Sequence, residues 1–329
     1  MDKNRFRLPA QIALILIVLI AVSACGKGNK DRDSGRDGMN GESQYTELEP
    51  GIDDPDGAPG TGTDSLSSSI NKSGIASRDT TTLKNFTYTW TDSKDIPPVI
   101  IVVDDFGMAD GSLLQGFAEL PSEVVFAVLP DLPKTQRSAQ IASQYGHEVL
   151  IHAPMQPVST KENPGKRYIK SGDDDATVIS MLDSFHSQIP NAIGVNNHMG
   201  SAATADKSLM SVVLRHLNSK GMIFMDSMTS GSSVGYKMAH TLGYPSIRRD
   251  MFLDVPDNSD ATLASKISEL GRFKGRSQPI VIITHCHNQA KLTALRTFIA
   301  QIQAMGVKLT SFSRAYAAAT LPSNTLCLD

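Results

Sequence analysis

Two adjacent aspartates and four histidines are the residues of this chain whose types and placement could do chemistry. Asp104 and Asp105 end the apolar run of PVIIVVDDFG at residues 98–107, His152 ends EVLIH, His198 stands in GVNNHMGS, and His285 and His287 end IVIITHCH. Neutral imidazoles and carboxylates are ordinary ligands of a divalent metal, zinc foremost, and a catalytic zinc keeps three protein ligands and one position open to water. Alone, Asp-Asp-x-Gly reads equally well as a turn, and any single histidine as structural. Their recurrence at the ends of apolar runs is what points to one shared site. The remaining histidines sort differently. His186, His216 and His240 fall in helical patterns and His147 precedes a strand, which makes them surface or packing residues.

The elements that must position these groups follow from the pattern around them. Residues 98–103 are apolar and mostly β-branched with no polar alternation, as in a strand buried on both faces of a parallel sheet. Similar runs recur at 123–129, 148–151, 192–195, 222–225, 280–283 and 307–309, with a weaker one at 246–249. Amphipathic helical patterns lie between them at 133–145, 175–189, 206–220, 259–273 and 289–305. Seven or eight strand-helix units over about 225 residues predict an α/β fold of the (β/α) barrel type, with an open doubly wound sheet as the alternative. In either fold chemistry gathers at the carboxyl ends of the strands, where all six groups fall.

The whole chain has 329 residues, 40% hydrophobic and 20% charged, with a net charge of -3. Without a basic excess or a GxxxxGK[ST] or GxGxxG pattern, nothing points to nucleic acid or nucleotide as a partner. Lys3, Arg5 and Arg7 precede a short apolar run at residues 12–22, the layout of a signal peptide. Val22-Ser23-Ala24-Cys25 at its end resembles the lipobox of bacterial lipoproteins, which implies export, cleavage before Cys25 and a lipid anchor on that residue. A plain secreted protein or an uncleaved anchor is the rival reading, and Gly26 leaves the leaflet open. Residues 26–85, rich in Gly, Asp, Ser, Thr and Pro, form the expected disordered tether, and residues 86–329 the folded domain. FTYTW at 86–90 has the period of a short strand, its aromatics suited to packing or to stacking on sugar. A bridge between Cys286 and Cys327 is left open.

At the residues described first, the chain resembles the divergent branch of the polysaccharide deacetylase family. The resemblance covers residues 98–317 and rests on VDDFG, HEVLIHAPMQP, GVNNHMGS, FMDSMTS, RRDMFLD and ITHCH in that order. It implies a distorted (β/α) barrel, a divalent metal and removal of acetyl groups from N-acetylated sugars. Carried over by motif, Asp104 is the candidate general base, Asp105 the metal-binding carboxylate, His152 the first histidine ligand and His285 the acid that protonates the departing amine. The main family has its second histidine four residues after the first, where this chain has Gln156; the divergent branch suggests His198 as the substitute. His287 shares the side of His285 in an extended strand and is either a supporting group or part of the rim. Cys286 faces away as a buried thiol. Asp226 could fix a ligand histidine through its second ring nitrogen, and Arg249, beside Asp250, could orient Asp104. A structural ion-pair cluster accounts for these three equally well.

The expectation is a lipid-anchored, zinc-dependent deacetylase of an envelope glycan, on the periplasmic or extracellular face. Two other readings stand beside it: a non-catalytic glycan- or protein-binding module on the same barrel, and a metallohydrolase of another amide or ester.

Overall fold

Seven of the apolar segments and one further short strand form one parallel sheet among the described residues: β1 (Val99–Phe106), β2 (Val125–Val128), β3 (Val149–Met155), β4 (Gly194–Met199), β5 (Ile223–Asp226), β6 (Ser246–Arg248), β7 (Met251–Phe252) and β8 (Ile280–His285). The computed structural model describes residues 95–315. Cys25 with its signal, the tether, FTYTW and Cys327 lie outside the described residues. Six helices connect the strands and a seventh follows β8: α1 (Gly111–Ala118), α2 (Thr135–Gln144), α3 (Asp175–Gln188), α4 (Lys207–Ser219), α5 (Gly235–Thr241), α6 (Asp260–Glu269) and α7 (Gln289–Ala304). Four start where a polar side chain caps the first turn, with Asp174, Asp206, Ser259 and Asn288 accepting from free backbone N–H groups. The sequence pattern had not marked α1, and β7 is a strand of two residues beyond the expected weak run.

Sheet order is β6-β5-β4-β3-β2-β1-β8-β7. The edge strands β6 and β7 are nevertheless neighbours in sequence, so the sheet must roll round on itself. The crossing is made by two consecutive residues: Arg249 N donates to Asp226 O of β5 at 2.9 Å, and Asp250 N donates to Val281 O of β8 at 2.8 Å. The result is the (β/α) barrel expected from the pattern, distorted as the resemblance implies, its last seam made by one strand broken in two.

Strand alternation divides the apolar residues into two layers. Val99, Ile101 and Val103 face outward, in one cluster with Leu114 and Phe117 of α1 and Leu295 and Phe298 of α7. Ile100 and Val102 face inward with Val125, Leu150, Met225, Phe252, Val281 and Ile283, which fill the barrel. Phe312 and Ala315 belong to the same inner cluster. Residues 307–309, expected as a strand, contribute a single bridge from Leu309 to Val99. The chain then turns under the barrel, where Glu148 accepts from Ser311 Oγ, Phe312 N and Ser313 N and seats Phe312 in the floor. A floor closed at the amino ends leaves the carboxyl ends as the open mouth.

Candidate active site

The alternation that fills the barrel with Ile100 and Val102 continues to Asp104 on β1. By the same count, His152 follows Leu150 on β3, and Asn196 and His198 follow Gly194 on β4. His285 follows Ile283 on β8, and Asp254 follows Phe252 after β7. All six face the barrel axis at its mouth. Gly194 is required where β4 runs close to β5, since a Cβ there would lie 2.5 Å from Ile223 O.

Asp105 breaks the alternation. In a regular strand it would face away from Asp104, but the pairing of β1 with β2 runs from Val103↔Phe126 to Phe106↔Val128, one extra residue on β1. Asp105 itself has φ +69°. A bulge of this kind re-aims a side chain, and here it turns Asp105 inward as well. The strained backbone costs on the order of 1 kcal/mol. Gly107, at φ +135°, completes the turn against Leu132, to which a Cβ would come within 2.9 Å.

The consequence is a near-equilateral triangle of donor atoms. Asp105 Oδ1 lies 3.2 Å from His152 Nε2 and 3.1 Å from His198 Nδ1, and the two nitrogens are 3.2 Å apart. Asp105 Oδ1 is buried and makes no hydrogen bond. Ligands of a tetrahedral ion bound at about 2.0–2.1 Å lie roughly 3.3 Å from one another, so the three atoms fit a divalent metal. The other oxygen, Asp105 Oδ2, accepts from His287 Nε2 at 2.6 Å. Burial opposes the charge on Asp105, but the imidazoles of His152, His198 and His287 outweigh it and hold the carboxyl well below its usual range.

Around the triangle stand the groups that could move protons. Asp104 Oδ2 is 3.6 Å from His152 Nε2, and Asp104 Oδ1 accepts from Asn196 Nδ2 at 2.9 Å. Burial raises the pKa of Asp104, partly offset by His152 and His285. His152 Nδ1 meets Asn196 Oδ1 at 2.9 Å; burial works against its charged form, but Asp104 and Asp105 raise its pKa overall. His285 Nδ1 donates to Asp254 Oδ2 at 2.9 Å, and Lys291 Nζ contacts the same oxygen. Burial alone would lower the pKa of His285, yet the charge of Asp254 and its hydrogen bond push it up to about 10. Burial likewise opposes the charge of Asp254, but His285 and Lys291 keep that carboxyl ionised far below its usual value.

Of the supporting residues expected from sequence, His287 joins the site and two others are placed differently. Asp226 shares the parity of Phe224, which faces the helices. Its oxygens accept from Met228 N at 2.9 Å, Ser233 Oγ at 2.6 Å and Tyr236 N at 3.0 Å. It therefore shapes the loop after β5 and does not fix a ligand histidine; the second nitrogen of His152 is met by Asn196. Asp250 sits at the amino end of β8, paired through both oxygens with Arg276 at 2.6 Å. That is a structural ion pair level with Val281, whose N–H donates to Asp250 Oδ2 four residues before His285 on the strand. Arg249 donates to the carbonyls of Ser227 and Met228 at 2.8 and 2.9 Å and lies over the Phe252 ring. Phe252 stacks in turn on His285, and His285 on His287. Met228 and Met199 have φ +49° and +52°, so turns after β4, β5 and within β1 all carry strain at the mouth. Cys286 is a buried thiol of the outer layer, raised well above its usual pKa by burial. Gln156 accepts from Ser171 N and holds its own loop.

Asn196, Asp254 and Lys291 were not marked from sequence. Asn196 has the parity of His198 two residues on, a signal present in GVNNHMGS; Asp254 ends RRDMFLD but needs the barrel seam to bring it to His285.

A family model described as divergent polysaccharide deacetylase matches residues 101–316, which include every residue of this site. The chain belongs to the divergent polysaccharide deacetylase family. Among curated relatives, an uncharacterized protein of Haemophilus influenzae is 40% identical over 155 residues, 47% of this chain and 54% of that protein. The uncharacterized protein YibQ of Escherichia coli is 34% identical over 187 residues, 57% of this chain and 58% of that one. The chain thus matches between about half and three fifths of the length of these relatives. A solved structure of an uncharacterized protein from Agrobacterium tumefaciens is similar in fold, with a TM-score of 0.61 and 24% identity over 71% of this chain and 94% of that one. In this family member the third atom of the triangle comes from His198 on β4, while the position four residues after His152 is occupied by Gln156.

Proposed function

We propose that this member of the family is a metal-dependent deacetylase that removes acetyl groups from an N-acetylated envelope glycan, exported and held to the membrane by a lipid on Cys25. The observation that carries the reading is the triangle of Asp105, His152 and His198, flanked by a carboxylate and by a charged histidine. A divalent metal held by those three, zinc first, would polarise the acetamide carbonyl and lower the pKa of a water. Asp104 Oδ2, the oxygen not held by Asn196, accepts the proton of the attacking water. Burial raises the pKa of Asp104 and makes it a stronger base than an exposed aspartate. His285 gives its proton to the nitrogen as the C–N bond breaks, so the products are acetate and an amine. Asp254 keeps His285 charged and fixes its Nδ1, which turns Nε2 to the mouth.

The test uses protein stripped and reloaded with zinc or cobalt. It should release acetate from chitooligosaccharide or peptidoglycan fragments, and Asp104→Asn should lose at least about 100-fold in kcat with the metal still bound. Metal binding without acetate release would support the non-catalytic module, and turnover of esters but not acetamides another hydrolase. For the anchor, Cys25→Ser should move the protein from the membrane to the soluble fraction; an unchanged distribution would refute that part.

A further inference from the structure

Asn196 is fully buried, and its one amide spans two groups with opposite requirements. Its Nδ2 donates to Asp104 Oδ1 at 2.9 Å, and its Oδ1 faces His152 Nδ1 at 2.9 Å. We infer that Asn196 is the positioning residue that sets proton placement on both: it keeps the proton of His152 on Nδ1 and presents Asp104 as an acceptor with Oδ2 free.

The argument is one of donors and acceptors. A carbonyl oxygen only accepts, so the nitrogen facing Asn196 Oδ1 must carry a hydrogen. A neutral His152 then has its lone pair on Nε2, the atom that faces Asp105 Oδ1 at 3.2 Å. An amide NH2 only donates, so Asp104 Oδ1 must be a bare oxygen, which leaves Oδ2 as the atom toward His152 Nε2. With the amide turned over, both conditions reverse together. The NH2 would require a lone pair on Nδ1, and the proton would move to Nε2; the carbonyl would require a protonated Asp104. One orientation makes ligand and base competent at once, and the other disables both. Ser227 Oγ, 3.3 Å from Asn196 Nδ2, accepts from the same amide nitrogen and, as a hydroxyl, would suit either orientation.

This rests on the metal-site reading of Asp105, His152 and His198, and its His152 half is tested without relying on turnover. Asn196→Asp keeps an acceptor toward His152 but offers no amide donor to Asp104. Asn196→Leu removes both. In zinc-loaded protein, the wild type and Asn196→Asp should show a slowly exchanging proton on His152 Nδ1 and bind zinc within about threefold of each other. Asn196→Leu should lose that proton signal and bind zinc about 10–100-fold more weakly. With acetamide substrate, Asn196→Asp should lower kcat about 100-fold while KM moves less than about threefold. Loss of zinc affinity in Asn196→Asp equal to that in Asn196→Leu would overturn the inference, as would a His152 Nδ1 proton unaffected by Asn196→Leu. If wild-type protein binds zinc but releases no acetate, the deacetylase reading fails while the proton signal and the zinc affinities still decide the role of Asn196 toward His152.

Discussion

Replacing Asp254 by Asn tests how the acid of the proposed reaction is held. Asn can still accept from His285 Nδ1, so the ring keeps its orientation while the negative charge 2.9 Å away is removed. At that distance and an effective dielectric of about 20, the pair attraction is about 6 kcal/mol. Burial works against it, Asp105 and Asp104 add to it, and the net result is a pKa of about 10 for His285; a rise to there from about 6.5 is worth about 5 kcal/mol. Without Asp254, burial acts on His285 with only Asp104 and Asp105 opposing it, and His285 should titrate near or below about 7. A proton titration of the His285 ring by NMR measures this directly. In the acetate-release assay, the limb on which activity falls with rising pH should move from about 10 to near neutrality, with a loss at pH 8 of about tenfold or more. Stability follows the same sign. The raised pKa of His285 adds stability that is fully present below about 6.5 and is lost as pH climbs through about 10. The depressed pKa of Asp254 adds stability present above the usual carboxylate value and lost as pH falls through the folded one. The stability gap between wild type and Asp254→Asn should therefore be widest between about pH 4 and 6.5 and narrow toward pH 10. A variant whose His285 still titrates near 10, or a wild type whose His285 titrates near 6.5, would refute the reasoning.

Other perturbations separate the site from its scaffold. Asp105→Ala and His198→Ala should each reduce bound zinc to background in metal analysis of the purified protein, because each removes one corner of the triangle. Asp250→Asn breaks the pair with Arg276 and should cost about 2 kcal/mol in urea unfolding, with zinc affinity unchanged; a loss of zinc would place Asp250 in the site after all. Phe312→Ala opens the barrel floor and should cost about 3–5 kcal/mol, whereas an unaltered unfolding midpoint would mean that the floor contributes no stability.

The barrel was legible because its strands are buried on both faces. The runs at 98–103 and 280–283 have no polar alternation to mistake for another period, and β1 and β8 lie side by side over six paired residues. The amphipathic patterns at 175–189, 206–220, 259–273 and 289–305 begin within one residue of α3, α4, α6 and α7. What was hidden is local or nonlocal in ways composition does not record. The two-residue β7 is too short for any periodic signal, and the seam at Arg249–Asp250 exists only once the sheet has curled. That is why Asp250, next to Arg249 in sequence, was grouped with it, although consecutive residues there bond to strands on opposite sides of the seam.

The aspartate pair shows the limit most directly. Period-two alternation assigns Asp104 and Asp105 to opposite faces, and on that rule one of them should lie among the helices. Asp226 obeys the rule: it shares the face of Phe224, lies behind the sheet and shapes a loop. Asp105 escapes it through one inserted residue and a positive φ, and nothing in Asp-Asp-Phe-Gly states which aspartate will be turned. Gly107 is the trace of that turn, since a chain leaving β1 with Asp105 reversed passes so close to Leu132 that a side chain would collide. The same count applied from Ile283 to His285 and from Phe252 to Asp254 puts both on the axis without strain. His285 and Asp254 therefore follow from regular strands, while Asp105 depends on an irregular one.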